Sequence, residues 1–356
     1  MWKGERIMSA ITYKCPNCDG GLVFDPQSGT YACEYCLSKF TQEELFGESH
    51  TSETVQSETA ESEKTQQSAV MYHCPSCGAE IITDETTTAT FCFYCHNPIV
   101  LAGKLEGEYL PDSIIPFKIT KEEATEKFLE WIQKKKYIPK GFYSKRHVEK
   151  MIGVYFPYWL YDCKTDSYMN GTARDIRIWR IGDIEYTETK TFAIRRAGIV
   201  SFKYLPKTAL QKAQNAMLKG IFPYEFNALE TFHMGYLSGF QAEKRDIDKD
   251  SFIEEIHRDI EKYAEKRMRD TITGRNAFSV EGQNHRIMEE KFRYVLLPVW
   301  VLTYRQSKDQ VYYFAMNGQT GEIVGKLPID NKKLFGLGGI LFAAVFIFLL
   351  MGGLLL

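Results

Sequence analysis

Four Cys-x-x-Cys pairs near the N-terminus constrain this chain more than any other feature. The pairs are Cys15/Cys18, Cys33/Cys36, Cys74/Cys77 and Cys92/Cys95. Fourteen residues separate the inner cysteines within each half of the set, and matched cysteines are offset by 59 positions, as Cys15 is from Cys74. The flanking sequences also match, YKCPNC with YHCPSC and CEYC with CFYC. The pattern indicates two copies of one small unit.

The spacing of these pairs is typical of metal-binding knuckles. Two residues between cysteines let both thiolates converge on one ion, and two knuckles complete the tetrahedral shell that structural zinc prefers. We therefore predict two small β zinc ribbons, at 13–40 and 72–100. The predicted zinc ligands are Cys15, Cys18, Cys33 and Cys36 in the first ribbon and Cys74, Cys77, Cys92 and Cys95 in the second. Because such a shell has no open position for water, both ions would be structural.

Other interpretations of the cysteines stay open. An iron–tetrathiolate carrier uses similar knuckles, usually with a longer gap between them, and a redox dithiol needs only one pair. A secreted disulfide framework would need a signal peptide, and Met1–Ala10 has no apolar core. His73 and His96 lie beside predicted ligands and could replace one of them. Zinc held in a reducing compartment is the interpretation that we favour.

The rest of the chain suggests three further segments. The region 41–71 is rich in Ser, Thr, Glu and Gln, so we predict a disordered acidic linker. The region 108–328 alternates helical and β-branched patterns and predicts an α+β domain with an antiparallel sheet. Two capping boxes, Thr120 with Glu123 and Ser251 with Glu254, predict helix starts.

A weaker repeat lies inside the α+β region. FPYW at 156–159 resembles LPVW at 297–300, and each is followed by MNG, at 169–171 and 316–318. Asn-Gly is a strong hairpin-turn signal. We therefore expect a possible internal duplication, in which two helix-plus-hairpin units contribute strands to one sheet.

The C-terminal segment 334–356 differs in kind from the rest. It contains no charged residue, and Lys332 and Lys333 precede it. As a helix it would be roughly 35 Å long, against roughly 30 Å for the hydrocarbon core of a bilayer. The expectation is one transmembrane helix and a single-pass protein of the cell membrane. Because positive flanks stay inside, the N-terminal region would be cytoplasmic.

No catalytic constellation is found, and we predict that the protein is not an enzyme. The motifs H-E-x-x-H and G-x-S-x-G do not occur, and Cys163 lies in a strand-like run where a buried, inert thiol is expected. A net charge of −2 gives no support for nucleic-acid binding. The best candidate for an anion or partner patch comprises Lys134, Lys135, Lys136, Lys140, Lys145 and Arg146.

The ribbons, the Pro-x-Trp runs and the closing MNGQTGEIVGKLP at 316–328 together resemble a family of bacterial zinc-ribbon membrane proteins. Its members are often labelled as containing a ribbon like that of transcription factor IIB, or as primosomal-type helicases. The resemblance implies functional roles for the eight paired cysteines only. A helicase also needs a phosphate-binding G-x-x-x-x-G-K-[S/T] loop, and Gly103-Lys104 and Gly325-Lys326 are both followed by Leu.

Two functions are compatible with these features. In the first, a membrane-anchored scaffold presents its ribbons to a protein partner at the cytoplasmic face of the membrane. In the second, the ribbons bind nucleic acid at the membrane. The first is favoured because the net charge is close to zero.

Overall fold

In the described part of the chain, ten strands form one large sheet, and two smaller sheets lie in the N-terminal region. The computed structural model describes residues 10–47, 70–92, 94–135, 137–138, 151–211, 216–275, 277–305, 311–327, 330, 336, 338–339, 341–343 and 345–346. The N-terminal strands are β1 Leu22–Asp25, β2 Thr30–Cys33, β3 Lys39–Phe40, β4 Val70–His73, β5 Glu80–Thr83, β6 Thr87–Phe91 and β7 Pro98–Val100. The later strands are β8 Ser113–Ile114, β9 Ile152–Ile181, β10 Ile184–Thr208, β11 Glu230–Thr231, β12 Gln241–Glu243, β13 Ala277–Arg305, β14 Val311–Asn317 and β15 Ile323–Gly325. The α-helices are α1 Gln42–Phe46, α2 Lys121–Gln133, α3 Ala216–Gly220 and α4 Ile253–Arg269.

Three very long strands dominate the large sheet. β9 lies in the middle, with β13 antiparallel on one side and β10 antiparallel on the other. α4 packs on one face of these strands and buries Ile256, Ile260, Ala264 and Met268. Cys163 is buried in β9, and burial raises the pKa of its thiol to about 11, as expected for an inert cysteine.

The two Pro-x-Trp runs on which the predicted duplication rests meet at the centre of this sheet. The two Pro-x-Trp runs lie side by side as antiparallel neighbours in β9 and β13. The Trp159 indole donates to the Ile247 carbonyl at 2.9 Å, shortly before α4. The Trp300 indole donates to the Ile119 carbonyl at 3.0 Å, just before α2. Each tryptophan therefore fixes the segment that leads into the helix of the other half.

The short strands follow the same approximate two-fold symmetry. β12 runs parallel to β9 with Gln241 opposite Val154, and β8 runs parallel to β13 with Ser113 opposite Val295. The first half contains β8, α2 and β9 in that order, and the second contains β12, α4 and β13. Each half therefore places its short strand beside the long strand of the other half. These parallel pairs make the sheet mixed, which corrects the prediction of an antiparallel sheet.

The Asn-Gly repeat has a different outcome at its two copies. The run 169–171 lies inside β9, whereas Gly318 follows β14 and its amide donates to the Pro298 carbonyl at 2.9 Å. The counterpart of Gly318 is Ala209, whose amide donates to the Pro157 carbonyl at 3.0 Å. The two hairpins differ greatly in length. The two Met-Asn-Gly runs therefore do not occupy equivalent positions in the two hairpins.

Of the two predicted capping boxes, one is present. Thr120 and Glu123 exchange both expected hydrogen bonds at the start of α2. The second box, Ser251 with Glu254, is absent because a 3-10 turn at Lys249–Phe252 precedes α4. Ser251 lies within that turn and is not the residue from which the helix starts.

The predicted transmembrane helix at 334–356 is wrong. No helix within the described ranges is long and apolar enough to cross a membrane. The longest, α2 and α4, have 13 and 17 residues and carry many charged side chains, whereas a span needs about 20 apolar residues. Most of 334–356 lies outside the described residues. The predicted membrane attachment, the single-pass localisation in the cell membrane and the topology with a cytoplasmic N-terminal region are corrected with it.

Candidate metal centres

The eight paired cysteines gather into two separate groups, as predicted. In each group all four sulfur atoms lie within 4.8 Å of one another. In the first, Cys15 Sγ lies 3.5 Å from Cys36 Sγ, and Cys18 Sγ lies 3.5 Å from Cys33 Sγ. The corresponding pairs of the second group, Cys74 with Cys95 and Cys77 with Cys92, are each separated by 3.7 Å.

These separations fit a tetrahedral zinc ion. With Zn–S bonds near 2.3 Å, the sulfur atoms of a tetrahedron lie about 3.8 Å apart. Free thiols packed for another reason would have no cause to form two matching sets of four. The two groups therefore confirm the prediction of two structural zinc sites. Four thiolates would complete each shell, so the ion's chemistry there would be to hold knuckles together.

All four knuckles share one backbone arrangement. In the first, the Cys15 amide donates to the Gly20 carbonyl at 2.7 Å, and the Asp19 amide donates back to the Cys15 carbonyl at 2.9 Å. The same two bonds occur at Cys33, Cys74 and Cys92. The residue after each second cysteine has a positive φ: Asp19 at 59°, Leu37 at 62°, Gly78 at 73° and His96 at 59°. The turn closes only in this left-handed conformation, which favours glycine.

Hydrogen bonds prepare one thiol of the first group for metal. The Ser38 hydroxyl lies 3.3 Å from Cys36 Sγ and accepts a hydrogen bond from the Asn17 amide at 2.9 Å. Hydrogen bonding by the Ser38 side chain and backbone lowers the pKa of Cys36 to about 6. A thiolate forms there near neutral pH, which is the form that binds zinc.

A different set of donors acts in the second group. Burial raises the pKa of Cys92, but the Cys95 and Tyr94 amides more than offset it and lower the value to about 7. The Tyr94 amide lies 3.4 Å from Cys92 Sγ. Each site therefore has its own source of a thiolate at neutral pH.

The first ribbon docks on the segment that precedes β12. The Ser238 hydroxyl donates to the Leu22 carbonyl, and the Phe24 amide donates to the Ser238 carbonyl at 3.0 Å. Phe24 packs edge-on against Tyr236, and α1, at the start of the predicted linker, adds Phe46 to the same aromatic cluster. The remainder of that linker, 48–69, lies outside the described residues.

The second ribbon is joined to the large sheet itself. β6 pairs with β12, so its hairpin extends the sheet beyond β9. The buried Lys104 side chain donates to Thr83 Oγ1 and to the carbonyls of Asp84 and Thr87, which fixes the loop between β5 and β6. Burial lowers the pKa of Lys104 to about 8.

The two ribbons also touch each other. The Ile11 and Val100 backbones exchange two hydrogen bonds, of 2.7 and 2.8 Å. A Cβ placed on Gly21 would lie 3.1 Å from Asn97 Oδ1. The ribbons therefore pack against each other and against the rest of the protein.

Comparison with known proteins gives one strong match. The chain is 31% identical over 348 residues to the uncharacterized protein YdjG of Bacillus subtilis (strain 168), covering 96% of this chain and 99% of that protein. The chain belongs to the YdjG family. No family model matches, and no solved structure matches. The predicted relation to transcription factor IIB-type ribbons or primosomal helicases is therefore unconfirmed for this YdjG-family protein.

The remaining predicted site residues of this YdjG-family protein are not brought to the metal. His73 and His96 are exposed beside complete four-cysteine groups. In the predicted basic patch, Lys134 and Lys135 are exposed at the end of α2. The other members, Lys136, Lys140, Lys145 and Arg146, lie outside the described residues, so the patch stays a prediction.

Sequence reasoning missed Leu37 in this YdjG-family protein. Its side chain is 82% exposed, and its φ of 62° is unusual for a branched residue. The signal was available, because the position follows the second cysteine of a knuckle, as Gly78 does. Nearby Tyr35 and, in the second ribbon, Tyr94 are also exposed, at 70% and 73%.

Proposed function

We propose that this protein is a non-enzymatic scaffold, stabilised by zinc, whose knuckle tips bind a protein partner. The observation that carries the proposal is Leu37, a large apolar side chain that is exposed at a backbone position favouring glycine. A left-handed backbone conformation destabilises the fold by about 1 kcal/mol at a residue such as leucine. Because the Leu37 side chain is exposed, its burial does not offset this cost. Such a side chain is available for a partner.

The neighbouring aromatic residues extend this apolar surface. A Cβ on Gly20 would lie 2.6 Å from the Tyr35 ring, and the next residue, Gly21, approaches Asn97 of the knuckle that carries Tyr94. The Cys15/Cys18 knuckle of the first ribbon therefore lies next to the Cys92/Cys95 knuckle of the second. Exposed tyrosine side chains near an exposed leucine are suited to contact a partner, since aromatic residues are enriched at protein interfaces.

The non-enzymatic part rests on the closed metal sites. Within the described ranges, the two cysteine groups are the only sets of His, Cys, Asp or Glu that could hold a metal ion. With four thiolates each, neither would leave a position for substrate. A scaffold needs the ions only to keep the knuckle tips in place.

Photo-crosslinking in the native host tests the proposal. A photoreactive amino acid would replace Tyr35, Leu37 or Tyr94 in turn, with exposed Glu43 of α1 as the matched control. We expect discrete protein adducts from the knuckle positions and none from Glu43. Adducts that disappear on nuclease treatment would indicate nucleic acid in place of protein. No adduct at any knuckle position, in protein that retains its zinc, would refute the proposal.

A further inference from the structure

The long hairpin of β9 and β10 extends beyond the rest of the sheet. In the described part of the chain, β13 begins at Ala277, opposite Arg174 of β9. Beyond Arg174 the hairpin has only its own two strands among the described residues, and we call residues 175–190 the arm. At about 3.3 Å per residue the arm projects roughly 20 Å.

The arm exposes apolar side chains on both of its faces. Ile178, Ile181 and Ile184 are between 59% and 63% exposed. Trp179 and Tyr186 stack across the two strands at 5.7 Å and remain partly exposed. A two-stranded hairpin is marginally stable alone in water, and apolar surface of this kind marks an interaction site.

The outer edge of β10 is open as well. Within the residues that the structure describes, β10 pairs only with β9, from Ile184 to Thr208. On this strand the Arg195 carbonyl accepts a hydrogen bond from Arg196 Nη1 at 3.0 Å, and Ile199 is 65% exposed. Open edges of this length invite pairing with another strand.

We propose that a second copy of this chain pairs with the β10 edge, antiparallel, about a two-fold axis midway between the two copies of Phe192. The two sheets then form one continuous sheet across the dimer. A two-fold axis perpendicular to a sheet keeps each face on its own side, so it places one residue of β10 opposite its own copy.

Charge supports an axis at Phe192 and argues against two nearby positions. This register places Glu188 of each copy opposite Arg196 of the other, because both lie four positions from Phe192. Moving the axis to Lys190 would place Lys190 opposite itself, and moving it to Ala193 would place Lys190 opposite Arg196. Like charges directly opposite each other destabilise a strand pair.

The side chains of the selected pair are suitably placed. Glu188 and Arg196 pair with Arg177 and Met169 of β9, an even number of positions apart, so both point to one face. Arg196 donates from Nε to the Thr271 side chain at 2.9 Å, from Nη1 to the Arg195 carbonyl at 3.0 Å and from Nη2 to the Thr271 carbonyl at 3.4 Å. Nη1 and Nη2 each keep a second N–H for Glu188, which lies 3.4 Å from Lys190 Nζ of its own chain.

The same register extends along the arm. Tyr186 falls opposite Gly198 of the second copy, and Ile184 falls opposite Val200, so the outer edge of the arm also gains a neighbouring strand. Both side chains then have cross-strand neighbours on the faces to which they point. One interface therefore accounts for the open edge of β10 along the main sheet and along the arm.

A charge-swap experiment on the full-length chain tests the pairing. We expect the wild type to dimerise reversibly in sedimentation velocity, and Glu188→Arg and Arg196→Glu each to be monomeric. An equimolar mixture of the two variants should dimerise, because every cross-copy pair then joins opposite charges. A monomeric wild type, or single variants that dimerise as well as the wild type, would overturn the proposal.

Cross-linking keeps the test independent of the Thr271 contact. Phe192→Cys places two cysteines opposite each other, with Cα atoms roughly 5 Å apart, a separation that a disulfide spans. The control Glu185→Cys is opposite Ile199, so its two copies lie roughly 45 Å apart along the strands. We expect a covalent dimer for Phe192→Cys only, under a mild oxidant. Equal cross-linking of both variants, or of neither, would contradict the register.

Discussion

The two ribbons share one local structure but differ in how they join the protein. Both have the same pair of knuckles, with the same backbone hydrogen bonds and a four-cysteine group. The first ribbon has its own three-stranded sheet and contacts the segment before β12 through aromatic packing and two hydrogen bonds, without joining the large sheet. The second contributes β6 and β7 to the large sheet and keeps only β4 and β5 apart.

The difference separates short-range from long-range causes. Knuckle geometry depends on residues within about five positions of each cysteine, so two similar sequences fold alike. The attachment of each ribbon to the rest of the protein depends on the strand edges and aromatic side chains that lie near it. These surroundings differ between the two ribbons. We therefore expect that unfolding the second ribbon also destabilises the large sheet. The first ribbon should be able to unfold while the large sheet stays folded.

Removing one ligand from each site tests this coupling and should give the largest effect. Cys18→Ser and Cys77→Ser are matched, since both thiols are exposed. Each should lower the zinc content from about two to about one ion per chain. Structural zinc contributes on the order of 10 kcal/mol to folding. Cys77→Ser should therefore lower the unfolding free energy of the large sheet by more than about 5 kcal/mol.

Cys18→Ser should leave that transition nearly unchanged and expose only the first ribbon. Denaturant unfolding followed by circular dichroism, together with metal analysis, measures both effects. Equal destabilisation by the two variants would show that the ribbons are coupled alike.

Filling the contact between the first ribbon and the body should give the next largest effect. Gly239 has a φ of 89°, and a Cβ there would collide with Val23 of β1. Gly239→Ala should cost about 2–4 kcal/mol of docking free energy, from backbone strain and overlap together.

Limited proteolysis should then release the ribbon at 13–40 before the sheet is cut. Gly182→Ala is the control, because Gly182 also has a positive φ but open space around it. If both variants resist protease equally, the Val23 contact does not hold the ribbon.

Lys104, just after the second ribbon, should contribute more to stability than Lys39 of the first ribbon. Lys104→Met removes three hydrogen bonds, to Thr83, Asp84 and Thr87, and should cost about 1–3 kcal/mol. Lys39→Met removes an ion pair that is more than half exposed at the lysine, and should cost less than about 1 kcal/mol. Thermal unfolding of both variants measures the difference, and the reverse order would contradict the comparison.

Replacing the strained leucine should have the smallest effect and the opposite sign. Leu37→Gly relieves a positive φ and should stabilise the first ribbon by about 0.5–1 kcal/mol. His96→Gly is the matched change in the second ribbon. Chelator titration, with the midpoint of zinc loss as the measure, should shift toward higher chelator in both variants. A lower midpoint for Leu37→Gly would mean that its side chain contributes to folding.

Some of this fold could be predicted because its causes are close together in sequence. The four-cysteine groups follow from knuckle spacing, and the start of α2 follows from Thr120 and Glu123. The second capping box failed because a 3-10 turn placed Ser251 before the helix. Asn170-Gly171 failed as a turn because β9 has partners on both sides there, and those hydrogen bonds outweigh the local preference.

The sequence by itself determined the two metal sites, since the spacing within a knuckle is visible in one dimension. Only the tertiary structure decided that β8 and β12 lie beside the long strand of the opposite half, and that the second ribbon extends the sheet. Strand pairing depends on backbone groups that every residue carries, so the choice of partner edge is made by packing. Local sequence therefore specifies how each ribbon binds its ion, and the sheet specifies where each ribbon is held.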